Sequence, residues 1–347
     1  MPKILLVKTS SMGDVIHNLP VVSDILAHFP EAEIDWVVEE SFAGIPALHP
    51  GVGEIIPVAV RRWRKHPFSR KTRTETGSFV ARLRSKVYDL VLDTQGLLKS
   101  AVIARLAQGA RCGFDSHSAR EPLAALFYDK TVRVEKNRHA VERNRLLAGR
   151  ALGYSPDETV NYGITAPSLA LPWLPSGPFA VLLHATSRDD KLWPEADWIA
   201  LGESLASHGI RSVLPWGNET EHRRSRQLAE KIPLGIVPPA LTLGQAAALI
   251  SRAAAVVGVD TGLVHLAAAL NVPTIAIYCA SDPGLTGLHA SSGRILNLGG
   301  AGAPPDTASV IDALNGMVKL SISIQVLPLT PTLSPEGRGS KREGRLF

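Results

Sequence analysis

Cysteine is almost absent, Cys112 and Cys279 being the only two in 347 residues. That excludes a disulfide scaffold and points to a reducing, cytoplasmic compartment. No apolar run approaches the roughly 18 residues that a spanning helix needs. Ile4-Leu5-Leu6-Val7 is too short for a signal-peptide core and has no small-residue cleavage site behind it. Also missing are a G-x-G-x-x-G after the first strand, a P-loop, an H-E-x-x-H pair and a Cys-x-x-Cys pair. Dinucleotide redox chemistry, P-loop hydrolysis and zinc catalysis lose ground accordingly, and no His or Asp spacing demands a metal. What is present is 45% apolar residues, too many for disorder, in a chain long enough for roughly two domains.

Charge is unevenly spread. The net charge is +5, yet Arg61 to Lys86 holds ten Lys and Arg against one acid, Glu75, so that segment alone carries +9. Such a run attracts phosphates, nucleic acid or anionic lipid head groups. A solvated charge run on a loop is the plain alternative, and composition leaves both open. Nucleic acid is the weaker partner, because the run is confined to one loop and lacks a recognition motif.

Short apolar runs alternate with amphipathic stretches. Ile4–Val7, Ile34–Val38, Ile55–Val58 and Leu90–Leu92 read as strands. Pro20 must kink the helix that Val15, Ile16, Leu19, Val22 and Ile25 outline, or else lie in its first turn, with Asn18 as a cap. ITAPSLALPWLPSGP has the proline density of a linker. Beyond it Phe179–Leu183, Ser212–Leu214, Ala255–Gly258 and Thr274–Tyr278 read as strands. Glu195–Ser207, Glu219–Lys231, Leu243–Arg252 and Gly262–Leu270 read as helices. Alternation of this kind implies parallel sheets with right-handed crossovers. The expected division is 1–165, a linker at 166–178, a second domain at 179–320 and a disordered tail at 321–347.

Three segments follow strands and precede helices, where α/β sheets bind ligands. In Val259-Asp260-Thr261-Gly262-Leu263-Val264-His265 the helix start offers amides to a phosphate, and Gly262 lets a ligand approach the backbone. Asp260 or Thr261 as a mere helix cap, and His265 as a structural histidine, are the plain alternatives. In His184 to Pro194, Thr186, Ser187 and Lys191 suit a diphosphate, whereas Arg188-Asp189-Asp190 also fits a surface ion network. In Lys8 to His17, Asp14 is placed either as a general base or as an N-cap, and spacing leaves both open. Arg61-Arg62-Trp63-Arg64-Lys65-His66 offers four cations around one ring for phosphates or carboxylates.

KTSSMGDVIHNLP, DWVVEE, IPVAVRRWRK, QGLLKSA, AREPLAALFY, HAVERN, HATSRDDKLWPE and VDTGLVHLAAAL together resemble the lipopolysaccharide heptosyltransferases of glycosyltransferase family 9. The resemblance is collinear from the first strand to about residue 319. The DTG-x-x-H element is common to types I and II, while RRWRK and DWVVEE look like type I. The resemblance implies the α/β GT-B fold, two Rossmann-like domains whose parallel sheets face a central cleft. It implies inverting, metal-independent transfer of L-glycero-D-manno-heptose from ADP-heptose to the inner Kdo of Kdo2-lipid A. ADP-heptose is then a substrate, and no cofactor or nucleic acid is involved. The enzyme would work in the cytoplasm, peripheral to the inner membrane of a Gram-negative bacterium through its basic patch.

Carried onto this chain, the resemblance makes Asp14 the general base. Thr186, Ser187 and Lys191, with the amides around Thr261 and Gly262, would steady the leaving diphosphate. Asp260 would contact the heptose with His265 beside it, and Glu221 would hold the ribose. Leu241 stands near the adenine where the family usually has Met. Arg61, Arg62, Arg64 and Lys65 look like the acceptor patch, with Lys99, Arg120 and His139 as further members. CASDPGLTGLHA at 279–290 is less glycine-rich than usual, and the tail after Ser321 has no counterpart, which would leave the last helix incomplete. Two rivals remain: a sister transferase such as type II, or a non-catalytic anion-binding module using Arg61–Lys86 alone.

Overall fold

The computed structural model describes residues 1–290 and 294–325, with side chains up to residue 317. Its first half holds strands β1 (Lys3–Val7), β2 (Glu33–Glu39), β3 (Ile55–Val58), β4 (Val87–Asp93), β5 (Gln108–Phe114) and β6 (Lys130–Val132). Its second half holds β7 (Phe179–Leu183), β8 (Arg211–Val213), β9 (Gly235–Ile236), β10 (Ala255–Val259), β11 (Thr274–Tyr278) and β12 (Ile295–Gly299). Each six form one sheet, ordered β3-β2-β1-β4-β5-β6 and β12-β11-β10-β7-β8-β9. All neighbours within the sheets run parallel. Helices fill the crossovers, so the inner strands are covered on both faces and read as unbroken apolar runs. Ile4 to Val7 are fully buried, and Val256, Val257 and Val259 match them in the second sheet.

Strand β5 escaped the apolar reading because QGARCGF carries Gln, Arg and two glycines. Gly109 there has φ +144°, and a Cβ would fall 2.2 Å from the Tyr88 carbonyl oxygen. Its tightness coincides with a register shift between Tyr88 and Leu90. Strands β6, β9 and β12 are short or half-buried edges with weak patterning. Pro20 lies in the first turn of helix Leu19–His28, which restarts after helix Met12–Ile16 with Asn18 at its N-cap. No regular element occurs between Gly153 and Pro178.

The last helix, Thr307–Gln325, packs on the second sheet and on helix Glu195–Ser207. It runs five residues past the expected end of the domain at 320, correcting the start of the tail. Neither Gly nor Pro interrupts the chain between Met317 and Pro328, so nothing local stops the helix earlier. Residues 326–347 of the expected tail lie outside the described residues. No helix among the described residues is long and apolar enough to cross a membrane.

One apolar cluster spans both halves, joining Val15, Ile16 and Leu19 to Val264, Leu266 and Ala267. Helix Met12–Ile16 meets helix Gly262–Ala269 there. Both helices leave strands β1 and β10 at their carboxyl ends, so this packing sets the two ligand-binding edges face to face.

Candidate active site

After β1 the chain passes through Lys8 to Ser11, and Gln95, just beyond β4, clamps that loop. Its Oε1 accepts from the Thr9 amide at 2.6 Å and the Thr9 hydroxyl at 2.8 Å, while its Nε2 donates to the Ser10 carbonyl at 2.6 Å. Asp14 then sits in the first turn of the short helix. Its Oδ2 accepts from the Ser11 amide at 2.9 Å and the Ser11 hydroxyl at 3.1 Å. Arg120 Nη2 donates to its Oδ1 at 2.6 Å. Ser11, not Asp14, is the N-cap of that helix, and Asp14 is its N3 partner in a capping box, so the N-cap reading of Asp14 is corrected; its carboxylate stays at the cleft wall and 12% exposed. Burial pushes the Asp14 pKa up, but Lys8, Arg120 and the Ser11 amide outweigh it and hold the carboxyl below its ordinary value.

Across the cleft, β7 feeds Thr186, Ser187 and the turn Asp189–Lys191, while β10 ends at Asp260. Lys191 Nζ and Ser281 Oγ each reach Asp260 Oδ2 at 2.6 Å. Thr186 Oγ1 donates to the Asp260 carbonyl at 3.0 Å. Burial raises the Asp260 pKa, yet the His265 ring 3.8 Å away and the hydrogen bonds from Lys191 and Ser281 together hold it far below the usual carboxylate range. Thr261 is the N-cap of helix Gly262–Ala269 without a side-chain cap bond, and the Asp260 carboxylate is spent on Lys191. Neither residue is a simple cap. Arg188 and Asp190 do pair with each other at the surface, so that part of the segment is an ion network.

Gly262 has a contact the sequence did not show. The space its missing Cβ leaves is occupied by Met12 of the other half, with Sδ 2.5 Å from where a Cβ would lie. The close approach seen here is between the two halves, while Gly262 also lines the smaller of the cavities at this junction.

Two cavities share this junction. The larger, about 890 Å³, is lined by Glu221, Leu241, Trp216 and Leu243 and shares Met12, Thr186, Ser187 and Thr261 with its neighbour. The neighbour, about 390 Å³, adds Asp14, Arg61, Arg120, Lys191, Asp260 and His265. Glu221 is fixed at the start of helix Glu219–Lys231, where it accepts from the Gly217 amide and the Asn218 side chain, both at 2.7 Å. All nine expected donor-side residues thus line these two joined cavities, and Asp14 lines the smaller from the first half.

The expected acceptor residues divide. Arg61 and Arg120 line the smaller cavity, with the Arg61 guanidinium 5.1 Å over the Phe42 ring. Lys99 donates to the Ser10 hydroxyl at 2.7 Å, and its burial lowers its pKa. Arg64 and Lys65 are exposed and have no ion-pair partner among the described residues. Arg62 is held by Glu40 at 2.9 Å and Glu75 at 2.6 Å. His139 does not join the set. Its buried ring accepts from the Val141 amide at Nδ1 and faces the Gly287 carbonyl with Nε2, so both nitrogens are used. Burial and neighbouring His289 bring its pKa down to about 4. The ring stands in a row of four, His265, His17, His139 and His289, across the junction of the halves.

The basic segment is also corrected. Most of it lies on helices Val60–Trp63 and Arg70–Leu83 rather than in one loop. Arg82 pairs with Glu54, and Lys86 with Asp35 and Glu54, so part of the excess charge is cancelled by acids distant in sequence. Met12, His17, Phe42, Ser281 and Thr286 were not anticipated as site residues. Ser281 follows β11 at the same sheet edge as the others, and that position was the signal for it. Among the described residues no three His, Cys, Asp or Glu side chains converge as a metal site.

Two parallel Rossmann-like sheets facing a cleft, with Lys191, Asp260 and helix amides on one wall and Asp14 with Arg120 opposite, have the architecture of a GT-B glycosyltransferase. The sequence model of Glycosyltransferase family 9 (heptosyltransferase) matches residues 76–308, and the chain belongs to that family. It is 48% identical over 287 residues to lipopolysaccharide heptosyltransferase 1 of Escherichia coli strain K12, covering 82% of this chain and 90% of that one. It is 45% identical over 311 residues to the same enzyme of Escherichia coli O18:K1:H7, covering 89% and 95%. The solved structure of E. coli heptosyltransferase WaaC with ADP superposes with a TM-score of 0.83 at 44% identity, covering 91% of this chain and 99% of that one. The protein is a glycosyltransferase of the heptosyltransferase family.

Proposed function

We propose that this enzyme transfers L-glycero-D-manno-heptose from ADP-heptose to the inner Kdo of Kdo2-lipid A, with inversion at the anomeric carbon and without a metal ion. The observation that carries the reading is the opposition of Asp14 to the Thr186, Ser187, Lys191 and Thr261 wall within one cavity. The larger cavity takes the nucleoside, with Glu221 toward the ribose and Leu241 toward the adenine. The diphosphate rests where the two cavities meet, at a helix N-terminus. The heptose then lies between Asp260 and Asp14.

The acceptor hydroxyl oxygen attacks the anomeric carbon from the Asp14 side as the bond to the diphosphate oxygen breaks on the other. ADP leaves with the bonding electron pair, and Asp14 takes the hydroxyl proton. The low pKa of Asp14 keeps it ionised, and proton transfer is late because the hydroxyl becomes acidic only as its new bond forms. Lys191 and the helix amides stabilise the charge that grows on the diphosphate, the role a metal ion fills elsewhere. Arg61, Arg64, Lys65, Lys99 and Arg120 face the acidic acceptor from the first half, at the cytoplasmic face of the inner membrane. A binding module resting on Arg61–Lys86 alone is disfavoured, since several of those cations are already paired.

The test is mass spectrometry of Kdo2-lipid A incubated with ADP-heptose, enzyme and EDTA. Addition of one heptose, with an inverted anomeric configuration by NMR, is expected. Absence of product while ADP-heptose binds in calorimetry would move the acceptor assignment to that of a sister transferase such as type II.

A further inference from the structure

Beside Asp14 lies a third, much smaller cavity of about 20 Å³, whose walls include Lys8, Thr94, Arg120, Arg143 and Asn144. That is room for a single oxygen atom. Three cations meet one carboxylate there, and most of their hydrogen bonds are already spent. Lys8 Nζ donates to the Thr94 carbonyl at 2.8 Å and to Asn144 Oδ1 at 3.3 Å. Arg120 is engaged by Asp14. Arg143 donates through Nη2 to the Ser118 carbonyl at 2.6 Å and lies 4.9 Å over the Phe114 ring. Asp93, the next carboxylate, accepts from the Gln95 and Gly96 amides and the Tyr128 hydroxyl.

Two polar atoms are left over. The Thr94 hydroxyl and Arg143 Nε are buried without any partner, and Thr94 is only 1% exposed. Buried donors are rarely left unpaired, and these two border a space with surplus positive charge. Burial lowers Lys8 to about 8, with Asp14 and Asp93 opposing and Arg120 and Arg143 adding to the fall. An oxygen bearing negative charge would satisfy both donors and pair the lysine.

We infer that this cavity is a carboxylate subsite for the acceptor sugar: one carboxyl oxygen enters between Thr94, Arg143 and Lys8 while a hydroxyl of the same ring faces Asp14. The reacting ring of the acceptor proposed above carries a carboxylate, which can place one oxygen in a space of this size. The inference rests on the acceptor proposed above. It adds to that reading a device that aims the reacting hydroxyl, distinct from the exposed cations that attract the lipid.

The experiment compares Kdo2-lipid A with its analogue in which the acceptor carboxylate is a carboxamide, using the full-length enzyme and its Arg143→Gln and Thr94→Val variants. The wild type should favour the carboxylate by about 10- to 100-fold in kcat/KM. Each variant should lose most of that preference, with KM for ADP-heptose unchanged. Equal losses on both acceptors would overturn the subsite and leave a buried water as its occupant. Should Arg143→Gln misfold for want of its bond to Ser118, the near-isosteric Thr94→Val carries the same comparison. If neither lipid is glycosylated, the acceptor assignment fails separately. Calorimetry with the free sugar acid and its amide, in the presence of ADP, then decides the subsite. Carboxylate-selective binding that Thr94→Val abolishes upholds it, and indifferent binding ends it.

Discussion

The two halves share one strand order, β3-β2-β1-β4-β5-β6 in the first and β9-β8-β7-β10-β11-β12 in the second, yet each treats its cleft carboxylate differently. Asp260 is closed in by Lys191, whose side chain is 19% exposed, and by Ser281. Asp14 is held by Arg120, whose side chain is 45% exposed. A partner bound that openly can be exchanged for an incoming acceptor, whereas the Asp260 cluster stays fixed. The same scaffold thus yields a rigid wall and an adjustable one, and the chemistry follows the loops at the strand ends rather than the sheet.

Asp14→Asn should break the adjustable side most severely. Turnover is expected to fall by about 10³-fold, within the range for loss of a general base, while ADP-heptose affinity in calorimetry is kept. Lys191→Met attacks the rigid side and should cost about 10²-fold in kcat, measured in the same transfer assay. It should also shift acid unfolding. The depressed pKa of Asp260 contributes stability that is complete above the ordinary value of 3.8 and is lost as pH falls below it. Removing Lys191 raises the folded-state pKa, so the circular-dichroism midpoint should move to higher pH.

Gly262→Ala probes the junction between the halves. A methyl group there meets Met12, and about 1–3 kcal/mol of stability should be lost in thermal melts. Met12→Ala in the same chain should restore part of it, and failure to do so would detach the effect from that contact. The smallest effect is expected at the exposed cations. Arg64→Glu and Lys65→Glu should each weaken binding to anionic vesicles by about fivefold or more at low salt, with little change once salt screens the surface. Arg62→Glu should instead disturb its pairs with Glu40 and Glu75 and show as lost stability.

Much of this was legible from residues alone. The inner strands announced themselves because burial on both faces demands apolar runs, and Phe179–Leu183 and Thr274–Tyr278 match their observed bounds. Helices Glu195–Ser207 and Glu219–Lys231 do likewise. Glycine-rich β5 and the edge strands β6, β9 and β12 were not legible, since a strand that packs little needs little pattern, whereas the edge strand β3 was read with its observed bounds, Ile55–Val58. On the site side, residues after strand ends could be picked out by position. His139 was misread because its partners, Val141 and Gly287, belong to a cap and to the other half of the chain.

What the sequence determined by itself was the pair of α/β halves and the residues at the strand ends, which follow from local patterning, and the family, which rests on the resemblance of collinear motifs. Only the tertiary structure decided which charges remain free. Arg62, Arg82 and Lys86 are cancelled by Glu40, Glu75, Glu54 and Asp35, and Thr94 and Arg143 are left with unspent donors beside Asp14. Charge in a sequence is a sum, while the charge a ligand meets depends on which partners folding brings within a few ångströms.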